Sequence, residues 1–176
     1  MTDNNTGRIT ELALIGFNHK SSTVAEREAF QPNRKELPEL LKTVFSFEEI
    51  DGILILSTCN RLEFYMDIQK GFEPLEILKR AFVHKNLNFN KYAHIFYFYN
   101  DIDAAKHLFR VISGLDSLVP GEYQIQGQVK EAYSIACEAK TLNKMLHKLF
   151  HAAFRTGKKV RTNTSIGEGS RSVSGV

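Results

Sequence analysis

Two strand patterns separated by only a few polar residues constrain this chain more than any other feature. Gly52 to Leu56, "GILIL", is a run of strand formers. From Leu62 onward, Leu62, Phe64, Met66 and Ile68 alternate with Glu63, Tyr65, Asp67 and Gln69, the period-2 pattern of a half-buried strand. Ser57 to Arg61, "STCNR", is left to join the two strands. That places Cys59, Asn60 and Arg61 at a strand junction, where a side chain can meet a substrate; one in mid-strand usually cannot.

The remaining segments fit around this pair. Residues 1–9 are polar and expected to fray. "ITELALIGFNH" reads as a buried strand ending at Asn18 and His19, and Ser21, Ser22 or Thr23 can cap the helix that follows. Leu37, Leu40, Leu41, Val44 and Phe45 keep helical spacing, "EPLEILKRAFVHK" reads as another helix, and "AHIFYFYN" as a fourth strand. The order predicts an α+β fold: a ferredoxin-like split β-α-β unit, with a four-stranded antiparallel sheet and helices on one face. From Asp101 the pattern is wholly helical. Asp101 can cap a helix whose apolar face is Ala104, Leu108, Val111, Ile112 and Leu115. "SLVPGEY" breaks that helix, and a long helical region runs from about Gln124 to Arg161 with an interruption near Thr141. The expected domain is 10–160, and 161–176 reads as the start of a linker.

A chain of 176 residues with 43% hydrophobic content supports one main domain and a sizeable core. The net charge of +3 neither demands nor excludes a nucleic-acid partner. Two cysteines make no disulfide framework. No cationic stretch followed by an apolar run opens the chain, and no run of about 18 apolar residues occurs. The expectation is a soluble cytoplasmic protein without a membrane partner.

Cys59 beside Arg61 raises nucleophilic chemistry, because the thiolate is the reactive form and positive charge favours it. Most free cysteines are small core hydrophobes, and Cys137, spaced with Val129, Tyr133 and Ala136, is expected to be one. His107 lies near the apolar face of its helix, where a satisfied boundary histidine is the commoner case. No Cys/His spacing resembles a zinc site, so no metal is expected. No strand–GxGxxG–helix unit is present either, since "GEGS" lacks both the strand and the spacing. From Ala139 to Gly167 there are seven Lys or Arg and no acid. A solvated face is the default reading of such a run, and phosphate contact the sharper one.

Four stretches, "GFNHKSSTVAERE", "STCNRLEFY", "HLFRVISGLDSLVPGEYQIQGQVKEAY" and "AFRTGKKVRTNTSIGEGSRSVS", resemble in order the signature stretches of the glutamyl-tRNA reductases. The resemblance runs from about residue 10 to the end and implies the N-terminal catalytic domain, with NADPH bound by a domain absent from this chain. It implies the first step of tRNA-dependent tetrapyrrole (porphyrin) synthesis, in which glutamyl-tRNA is reduced to glutamate 1-semialdehyde. Carried over residue by residue, Cys59 is the nucleophile that holds the glutamyl group as a thioester, and His107 is the activity-linked histidine. Thr58, Asn60, Arg61, Ser117, Glu122, Tyr123, Gln124 and Gln128 fall on substrate-binding positions. Arg61 suits the free γ-carboxylate, because a guanidinium fork binds it bidentately. The partners implied are glutamyl-tRNA, a second copy in a full-length homodimer, and the aminomutase that consumes the product.

Two positions depart from the family pattern. Thr23 and Tyr123 stand where proline is usual. Two rival readings come from other classes. A non-catalytic ferredoxin-like RNA-binding module would use exposed strand aromatics such as those of "HIFYFYN". A thiol-redox enzyme would need a resolving partner for Cys59.

Overall fold

The structure, a computed structural model, describes residues 7–118 and 124–165. Four strands, β1 (Thr10–Asn18), β2 (Ile50–Thr58), β3 (Arg61–Gln69) and β4 (Tyr97–Asn100), form one sheet in the order β2-β3-β1-β4. Every neighbouring pair is antiparallel. Helices α1 (Val24–Phe30) and α2 (Glu36–Phe45) connect β1 to β2, and α3 (Pro74–Ala81) and α4 (Phe89–Tyr92) connect β3 to β4. This is the expected ferredoxin-like plan. Of the candidate caps, Thr23 is the one used. Its hydroxyl accepts from Glu26 N–H while the Glu26 carboxylate accepts from Thr23 N–H, a reciprocal capping box.

Helices α5 (Asp101–Ile112), α6 (Gln124–Ala139) and α7 (Lys144–Asn163) follow, and they change one expectation. β3 is buried from Arg61 to Ile68, not half-buried. On one face, Phe64 meets Phe82 just beyond α3, and Phe17 of β1 meets Phe30 of α1. On the other, Tyr65 packs edge-on against Phe150 of α7, and Glu63 and Asp67 bond to His107 of α5 and Asn143. The helical segment therefore folds back and roofs the second face. Alternation of polar and apolar residues along β3 marks two buried faces of different chemistry, rather than core and solvent.

The helical interruption falls at Lys140 and Thr141. Lys140 has φ 58, the left-handed conformation that ends α6. Thr141 then pairs with the outer edge of β2: Ile53 N–H donates to Thr141 O (2.9 Å), and the Thr141 hydroxyl donates to Ile53 O (2.9 Å). An edge strand that would otherwise offer unpaired backbone is thereby covered. Asp101 does not cap α5 as expected; its carboxylate accepts from Leu12 N–H and ties the helix start to β1. Phe45 and Leu115, expected on apolar faces, are partly exposed, at 39% and 44%. Among the described residues no helix is long and apolar enough to cross a membrane.

Candidate active site

β2 and β3 close through a two-residue loop, Cys59 and Asn60, with Thr58 paired to Arg61. Neither loop residue has positive φ, so this is not one of the primed turns that usually close such hairpins. Side chains substitute for the missing turn chemistry. The Thr58 hydroxyl accepts from the N–H of both Asn60 and Arg61, each at 3.2 Å. Three successive carbonyls are also held from the β1–α1 region. Gln31 donates to Thr58 O (2.9 Å), Arg27 Nε to Cys59 O (3.2 Å), and His19 N–H to Asn60 O (2.8 Å). The turn is pinned through its backbone, and the Cys59 side chain is exposed.

Cys59 opens onto a cleft of about 320 Å³ between the α1–α2 connection and α6, lined also by Gln31, Asn33, Arg34, Thr58 and Gln128. The structure thus brings together three of the expected site residues: Thr58, Cys59 and Gln128. Arg34 reaches across the mouth to pair with Glu131. Gln124 is exposed at the start of α6, and Ser117 is half-buried beyond α5. Glu122 and Tyr123 lie outside the described residues.

His107 lines a different cleft, of about 440 Å³, with Asn18, Lys20, Tyr97, Tyr99 and Asp116 among its walls. Between the two clefts runs a buried ionic network. The Glu63 carboxylate, wholly buried, accepts from Arg61 Nη1 (2.8 Å), Tyr97 OH (2.6 Å), Tyr65 OH (2.6 Å) and His107 Nε2 (2.7 Å). Burial opposes its charge, but Arg61 and His107 outweigh that and hold the carboxyl down at about 2. Burial likewise pushes both phenols up, reinforced by the Glu63 charge, so they serve as donors. Asp116 is held below the usual carboxylate range by its Lys20 and Arg61 partners, against burial. His19 is lowered by burial and then by Arg61.

This network corrects the expectation for Arg61. Its fork is 2% exposed and already committed: Nη1 to Glu63 and Nη2 to the backbone oxygen of Asp116 (2.7 Å). A strand residue pointing into the α5–α7 face reaches Glu63 two positions along, not solvent. Cys137 is a second correction. It is exposed, because α6 turns its Val129–Ala132–Ala136 stripe to the core and leaves position 137 outside. Sequence reasoning also passed over Arg27, Gln31, Glu63, Tyr97 and Asp116. For Glu63 a signal existed: Arg61, Glu63 and Tyr65 at i, i+2, i+4 share one strand face, and three such groups there imply mutual satisfaction.

A buried charge network and an exposed thiol on a clamped turn thus share one hairpin of a ferredoxin-like domain with a helical roof. The family model described as the glutamyl-tRNAGlu reductase N-terminal domain matches residues 15–164, and the chain belongs to that family. It is 41% identical to the glutamyl-tRNA reductase of Thermodesulfovibrio yellowstonii over 93% of this chain and 40% of that protein. It is 43% identical to that of Ruthia magnifica, over 90% of this chain and 38% of the relative. The solved glutamyl-tRNA reductase from Methanopyrus kandleri superposes with a TM-score of 0.67 at 28% identity, covering 89% of this chain and 35% of that one. The chain therefore spans about 40% of the length of the curated relatives it matches.

Proposed function

We propose that this domain, spanning about 10–160, is the acyl-transfer half of an NADPH-dependent, cytoplasmic glutamyl-tRNA reductase serving tetrapyrrole synthesis. Cys59 attacks the ester carbonyl that links glutamate to the terminal ribose of its tRNA. As the carbon–sulfur bond forms the ester C–O bond breaks, and the thiol proton ends on the ribose hydroxyl. The product on the protein is a glutamyl thioester. The observation that carries this reading is the Cys59 turn: backbone fixed at three carbonyls and two N–H groups, side chain free on a cleft. Fixing the backbone places the nucleophile without spending its reactive atom.

Thr58, Asn60, Ser117, Glu122, Tyr123, Gln124 and Gln128 then form the glutamyl pocket, and His107 handles the proton. Since Cys59 and His107 line separate clefts, the acylated end of the tRNA bridges them. NADPH supplies hydride in the reaction that the family name denotes. The start of α1 does not fit it: the Glu26 N–H is taken by the Thr23 hydroxyl, and the first turn carries Glu26, an anion where a pyrophosphate would sit. Acyl transfer itself requires no such cofactor. The RNA-binding alternative is left only the edge strand: α5 and α7 cover the sheet face at β3, while Phe98 and Tyr99 of β4 are exposed.

The test is incubation with glutamyl-tRNA labelled in the glutamate. Hydroxylamine-sensitive label on the protein, lost in Cys59→Ser, is expected. Tight tRNA binding with no protein label would establish the RNA-binding module instead.

A further inference from the structure

We infer that Glu63 is a positioning residue for His107: its carboxylate fixes the imidazole with a proton on Nε2 and leaves Nδ1 as the nitrogen that exchanges protons in the cleft. The argument begins with hydrogen-bond inventory. An ionised carboxylate only accepts. Glu63 Oε1 lies 2.7 Å from His107 Nε2, so that nitrogen must carry hydrogen. The same oxygen already accepts from Arg61 and Tyr97, and the other from Tyr65. Four donors from three elements leave the carboxylate no freedom to turn away. A neutral ring protonated on Nδ1 would set a lone pair against that carboxylate, a buried repulsion with nothing to offset it.

The fold makes room for this arrangement. Gly16 pairs with Glu63 across the β1–β3 ladder. A Cβ at Gly16 would lie 2.8 Å from Glu63 Cγ and 2.6 Å from Leu62 O, so glycine there is a condition for the Glu63 side chain to cross toward α5. Tyr99 stacks on the His107 ring at 5.1 Å and 25°, and Tyr97 lies tilted against it at 5.3 Å. With Nε2 committed inward and the ring wedged by two tyrosines, Nδ1 is the nitrogen left for an occupant of the cleft. The charged and titratable groups facing the ring are Arg61, Glu63 and Tyr65 from β3, and Tyr97 and Tyr99 from β4. Asp103, Lys106 and Arg110 of α5, together with Lys20 and Asp116, complete the set among the described residues. Arg61 in this arrangement is the counter-ion that keeps Glu63 ionised whichever state His107 is in.

The tautomer stands apart from the acyl-transfer reading; only the use of Nδ1 rests on it. Imidazole ¹⁵N spectra of this chain across a pH titration decide the tautomer. The expected result is that Nε2 of His107 stays protonated throughout while Nδ1 alone gains and loses its proton. A neutral ring with hydrogen on Nδ1 would overturn the inference. Kinetics test the consequence: Glu63→Gln should lower the saturating rate of thioester formation about 10–100-fold with KM changed less than about twofold, and alter its pH profile. A folded Glu63→Gln with the parent's rate and pH profile would overturn the positioning role. If that variant does not fold, Tyr97→Phe removes one donor from the same oxygen and should give a smaller loss of the same kind; no change there counts against the role too. Failure of the parent to form any thioester would remove the acyl-transfer reading and leave the spectra to decide the tautomer.

Discussion

The Cys59 turn and the Glu63 carboxylate stand four residues apart on one hairpin and are satisfied in opposite ways. At Cys59 the turn is held at three carbonyls and two N–H groups, and the side chain is left open to a cleft. At Glu63 the side chain is saturated and no part of it reaches solvent. The difference teaches how one hairpin can hold both an exposed thiol and a fixed charge. The thiol is positioned indirectly, through peptide groups that donors from the β1–α1 region hold. The charge is positioned directly, through its own oxygens, because an unpaired buried carboxylate would cost several kcal/mol.

The comparison breaks most sharply at the thiol. Cys59→Ser should reduce thioester formation by roughly 10³-fold or more, because a hydroxyl without an adjacent base is a far weaker nucleophile. Stability should move by less than about 0.5 kcal/mol, since the side chain is exposed and takes no part in holding the turn. Cys137→Ser is the control. Both cysteines are exposed, so alkylation alone will not separate them, but the acyl group should be found on Cys59 and should survive loss of Cys137. Label on Cys137 in the parent protein would end the assignment.

Arg61→Lys tests whether the second region is internal. An ammonium cannot serve Glu63 and the Asp116 carbonyl together as the fork does. Thermal or denaturant unfolding should show a loss of about 1–3 kcal/mol. Discrimination between glutamyl- and glutaminyl-tRNA should be unchanged, because the fork is spent inside the protein. Lost discrimination with little loss of stability would mean that Arg61 leaves Glu63 to meet the substrate.

The same network sets a pH dependence. Glu63 titrates near 2 in the folded chain, below its ordinary 4.5, so between those values the unfolded chain binds more protons. Stability from this group is then fully present above about 4.5 and lost as pH falls toward 2, of order 3 kcal/mol in all. Asp116, also lowered, adds in the same direction. Unfolding midpoints measured from pH 6 to pH 2 should fall steeply below pH 5 in the parent. The slope should be shallower in Glu63→Gln, and an identical slope would place the acid sensitivity elsewhere.

How much of this was legible beforehand depended on whether a residue's role is local. The hairpin, the strand order and the exposed Cys59 follow from alternation, turn length and element order, all short-range properties. The second roof over the sheet was not legible, because β3's polar positions look the same whether they meet water or α5. Nor was the commitment of Arg61: closeness in sequence put its charge near the thiol, but Cys59 lies in the loop while Arg61 opens β3, and its guanidinium goes to the face it shares with Glu63. Arg27 and Gln31 were invisible for a related reason. Their targets are carbonyls some 30 positions away, which leave no mark in sequence spacing. Cys137 shows the limit of helical periodicity, where one position decides between a core stripe and its border.

The smallest expected effect concerns a third surface, which neither cleft contains. Lys144, Lys148 and Arg155 project from α7 and are exposed, while Leu146, Phe150 and Ala153 of the same helix are buried. Such a face has no part in positioning Cys59 or Glu63, so under the proposed function it is expected to act on affinity alone. Changing all three to Gln should weaken tRNA binding and lessen its dependence on salt, by up to about one unit of slope for each phosphate no longer neutralised. Transfer from a minimal glutamyl ester, which has no phosphate backbone to hold, should proceed at the parent's rate. Titrations at two salt concentrations separate the outcomes: equal tRNA affinity in the parent and the triple variant at low salt would return these cations to plain solvation. A slowed reaction with the minimal ester would show instead that α7 acts on the site through its packing against Tyr65.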